Sequence, residues 1–124
     1  MVNKNKIAGT SWETKLMTEL REQGVDVERL ALAGDDEGDL IVKWRDRRGH
    51  DRVAVVEAKN RKQISLAQFV EEAVVERDNY CRRRKVESSN IEAVAIVKRR
   101  NHPWHKAYVV MTVDEYMKLG DSDG

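Results

Sequence analysis

Gly38-Asp39-Leu40-Ile41-Val42 and Val53-Ala54-Val55-Val56-Glu57-Ala58-Lys59 are two apolar runs that each carry ionised groups at one end. The first opens on an aspartate and the second closes on Glu57-x-Lys59. Val55 and Val56 continue into Glu57 without a break, which puts the charges on the strand itself. Side chains two apart in a strand share a face, so Glu57 and Lys59 are expected to project together, beside Asp39 on a neighbouring strand. Packing has no need of two carboxylates and an ammonium at the end of a buried sheet. Burying them is costly unless they pair or bind a cation. A divalent metal held by the two carboxylates, with the lysine beside its bound water, accounts for all three. The plainer alternative is a Glu57–Lys59 ion pair at a strand end, which contributes little if exposed.

The flanking sequence places these runs in an alternating chain. Residues 1–8 read as a short basic arm. Thr10 or Ser11 can cap a helix whose first turn holds Glu13, and Trp12, Leu16, Met17 and Leu20 give its apolar stripe before Gly24 stops it. Glu13 precedes Leu16, Met17 and Leu20 by three, four and seven positions, so it lies on the inward stripe. Val25 to Ala33 alternates as a strand, 34–38 is an acidic loop, and Leu40 to Trp44 is the next strand. The charged turn 45–51 with Gly49 makes that strand and Arg52 to Lys59 an antiparallel hairpin. Val53 to Val56 is apolar on both faces, as suits a central strand. A second helix begins near Gln63 or Ser65, with Leu66, Phe69, Val70, Ala73, Val74 and Arg77 at helical spacing. Ile91 to Val97 and Lys106 to Thr112 read as strands, Asp114 to Leu119 as a short helix, and 120–124 as a frayed tail. The order of elements predicts an α/β fold with a mixed sheet flanked by helices.

Size and composition bound the rest. The chain has 124 residues, of which 36% are charged and 6% aromatic. That length suits one domain, 1–124, and the grouping of apolar residues into runs argues against disorder. The net charge of +1 announces no partner, but local clusters do: Arg47 and Arg48; Arg61 and Lys62; Arg82, Arg83, Arg84 and Lys85; Lys98, Arg99 and Arg100. Each can contact nucleic-acid phosphates, and the third also suits a helix C-terminus. Cys81 is the one cysteine, which excludes an internal disulfide and fits a reducing compartment. No apolar run approaches the ~20 residues of a membrane span. A cytoplasmic location is expected. His102 and His105 around Pro103 are a weak zinc signal without a third ligand.

The ordered set Gly9-Thr10-Ser11-Trp12-Glu13, Gly38-Asp39 and Glu57-Ala58-Lys59 resembles the PD-(D/E)xK nucleases, and among them the archaeal-type and phage Holliday junction resolvases. The resemblance covers about residues 7 to 80. It implies a restriction-endonuclease-like αβββαβ core and catalysis by Glu13, Asp39, Glu57 and Lys59. It implies Mg²⁺ or Mn²⁺ as cofactor, held by Asp39, Glu57 and the Ala58 backbone carbonyl, with Glu13 binding directly or through water. Hard oxygen donors favour those ions. The sequence departs from the pattern twice. Gly38 stands where proline is usual, and Gln68, a possible accessory residue, is followed four positions on by Glu72 rather than tyrosine. No base-reading module is present, so recognition of DNA shape is expected. A four-way junction has two-fold symmetry, which implies a homodimer with matched sites. The alternatives are a flap-, end- or single-strand-cutting nuclease of the same fold and a non-catalytic DNA-binding module.

Overall fold

Alternation along the central hairpin decides which side of the sheet each residue sees. The computed structural model describes residues 4–30 and 38–118, with the backbone alone for 4–10. Its elements are α1 (Lys4–Glu22), β1 (Asp26–Arg29), β2 (Leu40–Arg45), β3 (Asp51–Lys59), α2 (Leu66–Arg84), β4 (Glu92–Val97), β5 (Tyr108–Val110) and α3 (Val113–Met117). The five strands form one sheet in the order β1-β2-β3-β4-β5. Every neighbouring pair is antiparallel except β3 and β4, which run parallel. A parallel pair needs a crossover, and α2 supplies it. This is an α/β fold with a mixed sheet and helices.

Even-numbered residues of the hairpin face one helix and odd-numbered ones the other. Leu40, Val42, Ala54, Val56 and Ala58 pack with Trp12 and Leu16 of α1, while Ile41 and Val55 pack with Tyr80 and Cys81 of α2. Phe69 of α2 extends the second layer over Ala95 and Val97. Fully burying a side chain such as Leu16, Leu40 or Val55 stabilises by about 1.5–3 kcal/mol each. Trp12 also donates its indole N–H to the Ile96 carbonyl at 3.1 Å, tying α1 to β4 across the sheet. The β2–β3 turn closes on the Asp46 carboxylate, which accepts from the Arg48 and His50 amides at 2.9 Å each. By the same parity Glu57 and Lys59 lie on the α2 face.

Several boundaries differ from the sequence reading. Residues 4–8, expected as an arm, belong to α1. Lysine and alanine are strong helix formers, and extending an existing helix is easy compared with nucleating one, so Thr10 and Ser11 lie inside the helix rather than at its cap. The strand expected from 106 to 112 keeps only Tyr108–Val110. A 3₁₀ turn at Trp104–Lys106 takes its start, and the Thr112 hydroxyl caps α3 by accepting from the Glu115 amide. The stretch 31–37, with most of the acidic loop, and the terminal segments 1–3 and 119–124 lie outside the described residues. Among the described residues no helix is long and apolar enough to cross a membrane.

Candidate active site

Asp39 is fixed by backbone geometry. Its amide donates to the Val56 carbonyl at 3.0 Å, and its Oδ2 accepts from the Ala58 amide at 2.8 Å. The residue before it explains the turn. Gly38 has φ +101°, and a Cβ there would stand 2.5 Å from Val55 Cγ1. Proline, locked near φ −65°, does not fit this backbone, which gives a physical reason for Gly38 in this chain. Because a strand residue presents its N–H and C=O to the same side, the Ala58 carbonyl also faces Asp39.

Glu13 reaches the same end of the sheet from α1 and shares a hydrogen bond with Asp39. Arg29, at the end of β1, brings its Nε to 2.7 Å from Glu13 Oε2. That contact is an ion pair by distance, since the N–H points poorly for a hydrogen bond. On the α2 face, Lys59 Nζ lies 3.3 Å from Glu57 Oε2 and 2.5 Å from Glu72 Oε2, and 5.3 Å from the centre of the Phe69 ring. Glu57 shares a hydrogen bond with Glu76, and Glu76 Oε2 is buried without a hydrogen-bond partner. Glu57 and Lys59 are only 6% and 7% exposed, so the simple exposed ion pair does not describe them.

Burial and crowding disfavour the anions of Glu13, Asp39, Glu57 and Glu76. Burial, then the hydrogen bond to Glu76 and the charge of Asp39, push Glu57 up to about 10. Burial and Asp39 push Glu13 up to about 7, against the pull of Arg29. Asp39 is raised by burial, although the hydrogen bonds from Ala58 and Glu13 oppose this. Burial raises Glu76 as well. Burial pulls the Lys59 ammonium down, but the hydrogen bond to Glu72 and the charges of Glu57 and Glu72 outweigh it, so Lys59 titrates above its ordinary value. The surroundings thus favour the acid forms of Glu13 and Glu57 and the ammonium form of Lys59.

Hard oxygen donors that hold protons they would otherwise lose, and a carboxylate oxygen buried without a partner, suit a small divalent cation. Among the described residues, no three His, Cys, Asp or Glu side chains form a preformed metal cage. The carboxyls meet instead as two pairs, Glu13–Asp39 and Glu57–Glu76. A cation would have to displace the protons those pairs share.

The other expected residues divide between the two ends of the sheet. Arg61, Lys62, Lys98, Arg99 and Arg100 line one groove, at the end where the Lys98 amide donates to the Lys59 carbonyl at 2.9 Å. Arg47 and Arg48 lie in the β2–β3 turn, beyond the far end of the nine-residue β3, about 26 Å or more from Lys59 at ~3.3 Å per residue. Arg82, Arg83, Arg84 and Lys85 close α2, whose 19 residues carry them about 28 Å from its start. Gln68 is exposed one turn before Glu72. His102 bonds to Arg99 and to the Arg100 carbonyl, and Cys81 is buried in the core. Sequence reasoning missed Arg29, Glu72 and Glu76. The available signal for the last two was their position three positions after Phe69 and Ala73, beside the inward stripe.

Compared with protein-family models, with curated proteins and with solved structures, the chain finds no match in any of the three.

Proposed function

We propose that the chain is a metal-dependent, structure-selective DNA endonuclease of the PD-(D/E)xK type, acting on four-way junctions as a homodimer. The observation that carries this reading is the meeting of Glu13, Asp39, Glu57 and Lys59 at one end of the sheet, where burial disfavours the carboxyls as anions. The order α1-β1-β2-β3-α2-β4, with a three-stranded antiparallel unit and one parallel pair, supports a restriction-endonuclease-like core.

In this reading Asp39, Glu57 and the Ala58 carbonyl hold Mg²⁺ or Mn²⁺, with Glu13 direct or through water. When bound, the ion supplies Lewis-acid activation of the scissile phosphate and a water of lowered pKa. Lys59 is held as an ammonium chiefly by its hydrogen bond to Glu72, so it acts as an electrostatic partner of the phosphate rather than as a base. It orients the attacking water or offsets the charge that develops on the pentavalent phosphorane. Glu72 holds the ammonium in place, and the Ala58 amide fixes the Asp39 carboxylate. The groove of Arg61, Lys62, Lys98, Arg99 and Arg100 receives backbone phosphates beside the site.

The test is single-turnover cleavage of a synthetic four-way junction with and without Mg²⁺, beside a flap and a linear duplex. Cleavage of the junction only with the metal, lost in Asp39→Asn with junction binding retained, is expected. Wild-type rates in Asp39→Asn would sink the site assignment. Preference for the flap or the duplex would sink the junction assignment.

A further inference from the structure

The groove beside Lys59 differs from an ordinary phosphate-binding ridge in its floor. It encloses about 380 Å³, within the ~300–1,000 Å³ of ligand pockets. Its rim carries Arg61, Lys62, Lys98, Arg99, Arg100 and His102, and among the described residues no carboxylate lines it. Its apolar lining is Ile64, Leu66, Val97 and Tyr108. Three of these are unusually open: Ile64 is 52% exposed, Leu66 49% and Tyr108 55%. The Arg99 guanidinium lies over the Tyr108 ring, 4.8 Å from its centre.

Duplex DNA presents phosphates and sugars to a protein that does not read base edges, and an apolar, aromatic floor contributes little to that contact. An unpaired strand presents phosphates and the faces of its bases together. Cations that follow the backbone, with flat or apolar side chains beneath the bases, are the combination such a strand requires. The cluster of cations in a chain of net charge +1, with no acid lining the groove among the described residues, favours a polyanion. The exposed apolar floor selects an unstacked one.

We infer that this groove binds an unpaired segment of nucleic acid, with a base against Ile64, Leu66 and Tyr108 and its phosphates on Arg61, Lys62, Lys98 and Arg100. The inference rests on the nuclease reading for the destination of that strand: Val97 and Lys98 adjoin Lys59, so a strand opened at a branch point would lead to the candidate site. The groove's ligand itself is argued from its lining.

The experiment is fluorescence anisotropy of a labelled oligo-dT and of a blunt duplex of equal length, with the full chain in EDTA. The variants are Tyr108→Ala, Leu66→Ser and Arg61→Ala/Lys62→Ala, all at exposed positions. Wild type is expected to bind the single strand more tightly than the duplex. Tyr108→Ala and Leu66→Ser should weaken single-strand binding about tenfold, the scale of losing one stacked base, and leave duplex binding within twofold. The double charge variant should weaken both and reduce the salt dependence of each. Equal losses for single strand and duplex in Tyr108→Ala, or no loss in either, would overturn the proposal. Because metal is absent, a failure here is distinct from a failure of cleavage. Single-strand binding with no metal-dependent cleavage of any DNA would keep the groove and remove the nuclease, and cleavage without single-strand preference would do the reverse.

Discussion

Gly38 and Glu57 show two kinds of cost concentrated in single residues. At Gly38 the cost is steric. A left-handed φ of +101° and a 2.5 Å approach to Val55 Cγ1 leave no room for a side chain, and the turn that results delivers Asp39 to the strand end. Gly38→Ala is expected to destabilise the protein by about 2 kcal/mol or more, combining backbone strain and overpacking. Urea denaturation would measure it, and a change under about 0.5 kcal/mol, the scale of a neutral surface substitution, would contradict the geometry. At Glu57 the cost is electrostatic. Its carboxyl is raised from 4.5 to about 10, so at neutral pH the folded chain holds a proton that the unfolded chain releases. By linkage, the stability tied to that proton is fully present below about 4.5 and is lost as pH rises towards about 10, with Glu13 adding a smaller loss up to about 7. Without divalent ions, Tm should fall as pH is raised from about 5.5 to about 8.5. Glu57→Gln should flatten that fall and raise Tm at the alkaline end, an exchange of stability for function common at such sites. A Tm that climbs across this range in EDTA would show that the carboxyls are not held in their acid form.

Among the elements, α2 does more than cover the sheet, because it sends Glu72 and Glu76 into a site otherwise built on strand ends and on Glu13 of α1. Glu72 pairs with Lys59 at 2.5 Å and remains partly exposed. If its role is to hold the ammonium, Glu72→Gln should lower single-turnover cleavage about tenfold, and Lys59→Met about 10²–10³-fold. The double variant should then be no slower than Lys59→Met alone, since two groups acting as a unit are not additive. Multiplying effects would assign Glu72 an independent role. The same helix shows what a sequence can convey. Period two on β3 gave the shared face of Glu57 and Lys59, and period 3.6 gave a stripe of Leu66, Phe69, Val70, Ala73, Val74 and Arg77, of which Phe69, Ala73 and Arg77 are buried, Val70 and Val74 are partly buried and Leu66 is exposed. Glu72 and Glu76 lie on the flank of that stripe, where a carboxylate reads as a solvated face. Only the docking of α2 against β3 turns them inward, and that is tertiary information. The start of α1 was hidden for a local reason. Thr10 and Ser11 are good caps, but Lys4 to Ala8 continue the helix, and propagation overrides a capping preference. The hairpin, its turn at Gly49 and the crossover helix were legible because each rests on short-range patterning.

At the scale of the whole molecule, the basic residues form two groups at opposite ends of the sheet, and a single bound duplex arm need not meet both. Arg61, Lys62, Lys98, Arg99 and Arg100 stand beside Lys59. Arg82 to Lys85 stand at the far end of α2, where Arg82 donates to Asn79 at 2.7 Å and Arg84 lies 4.0 Å from the centre of the Tyr80 ring. These far-end contacts lie within α2, and cations there suit the helix dipole. The two groups should therefore answer salt differently. For a short duplex, the log–log dependence of affinity on salt should shallow by about 0.9 for each phosphate contact removed. Arg61→Ala/Lys62→Ala/Arg100→Ala is expected to shallow it by about two to three such steps. Arg82→Ala/Arg83→Ala should leave it unchanged and instead lower stability by a few tenths to about 1 kcal/mol, the worth of cations at a helix C-terminus. Titrations from low to moderate salt, paired with urea melts, separate the two effects in the same samples. If the far-end variant shallowed the slope as much as the near-end one while stability held, the DNA would have to run along the length of α2, and the cations near Lys59 would no longer define its path.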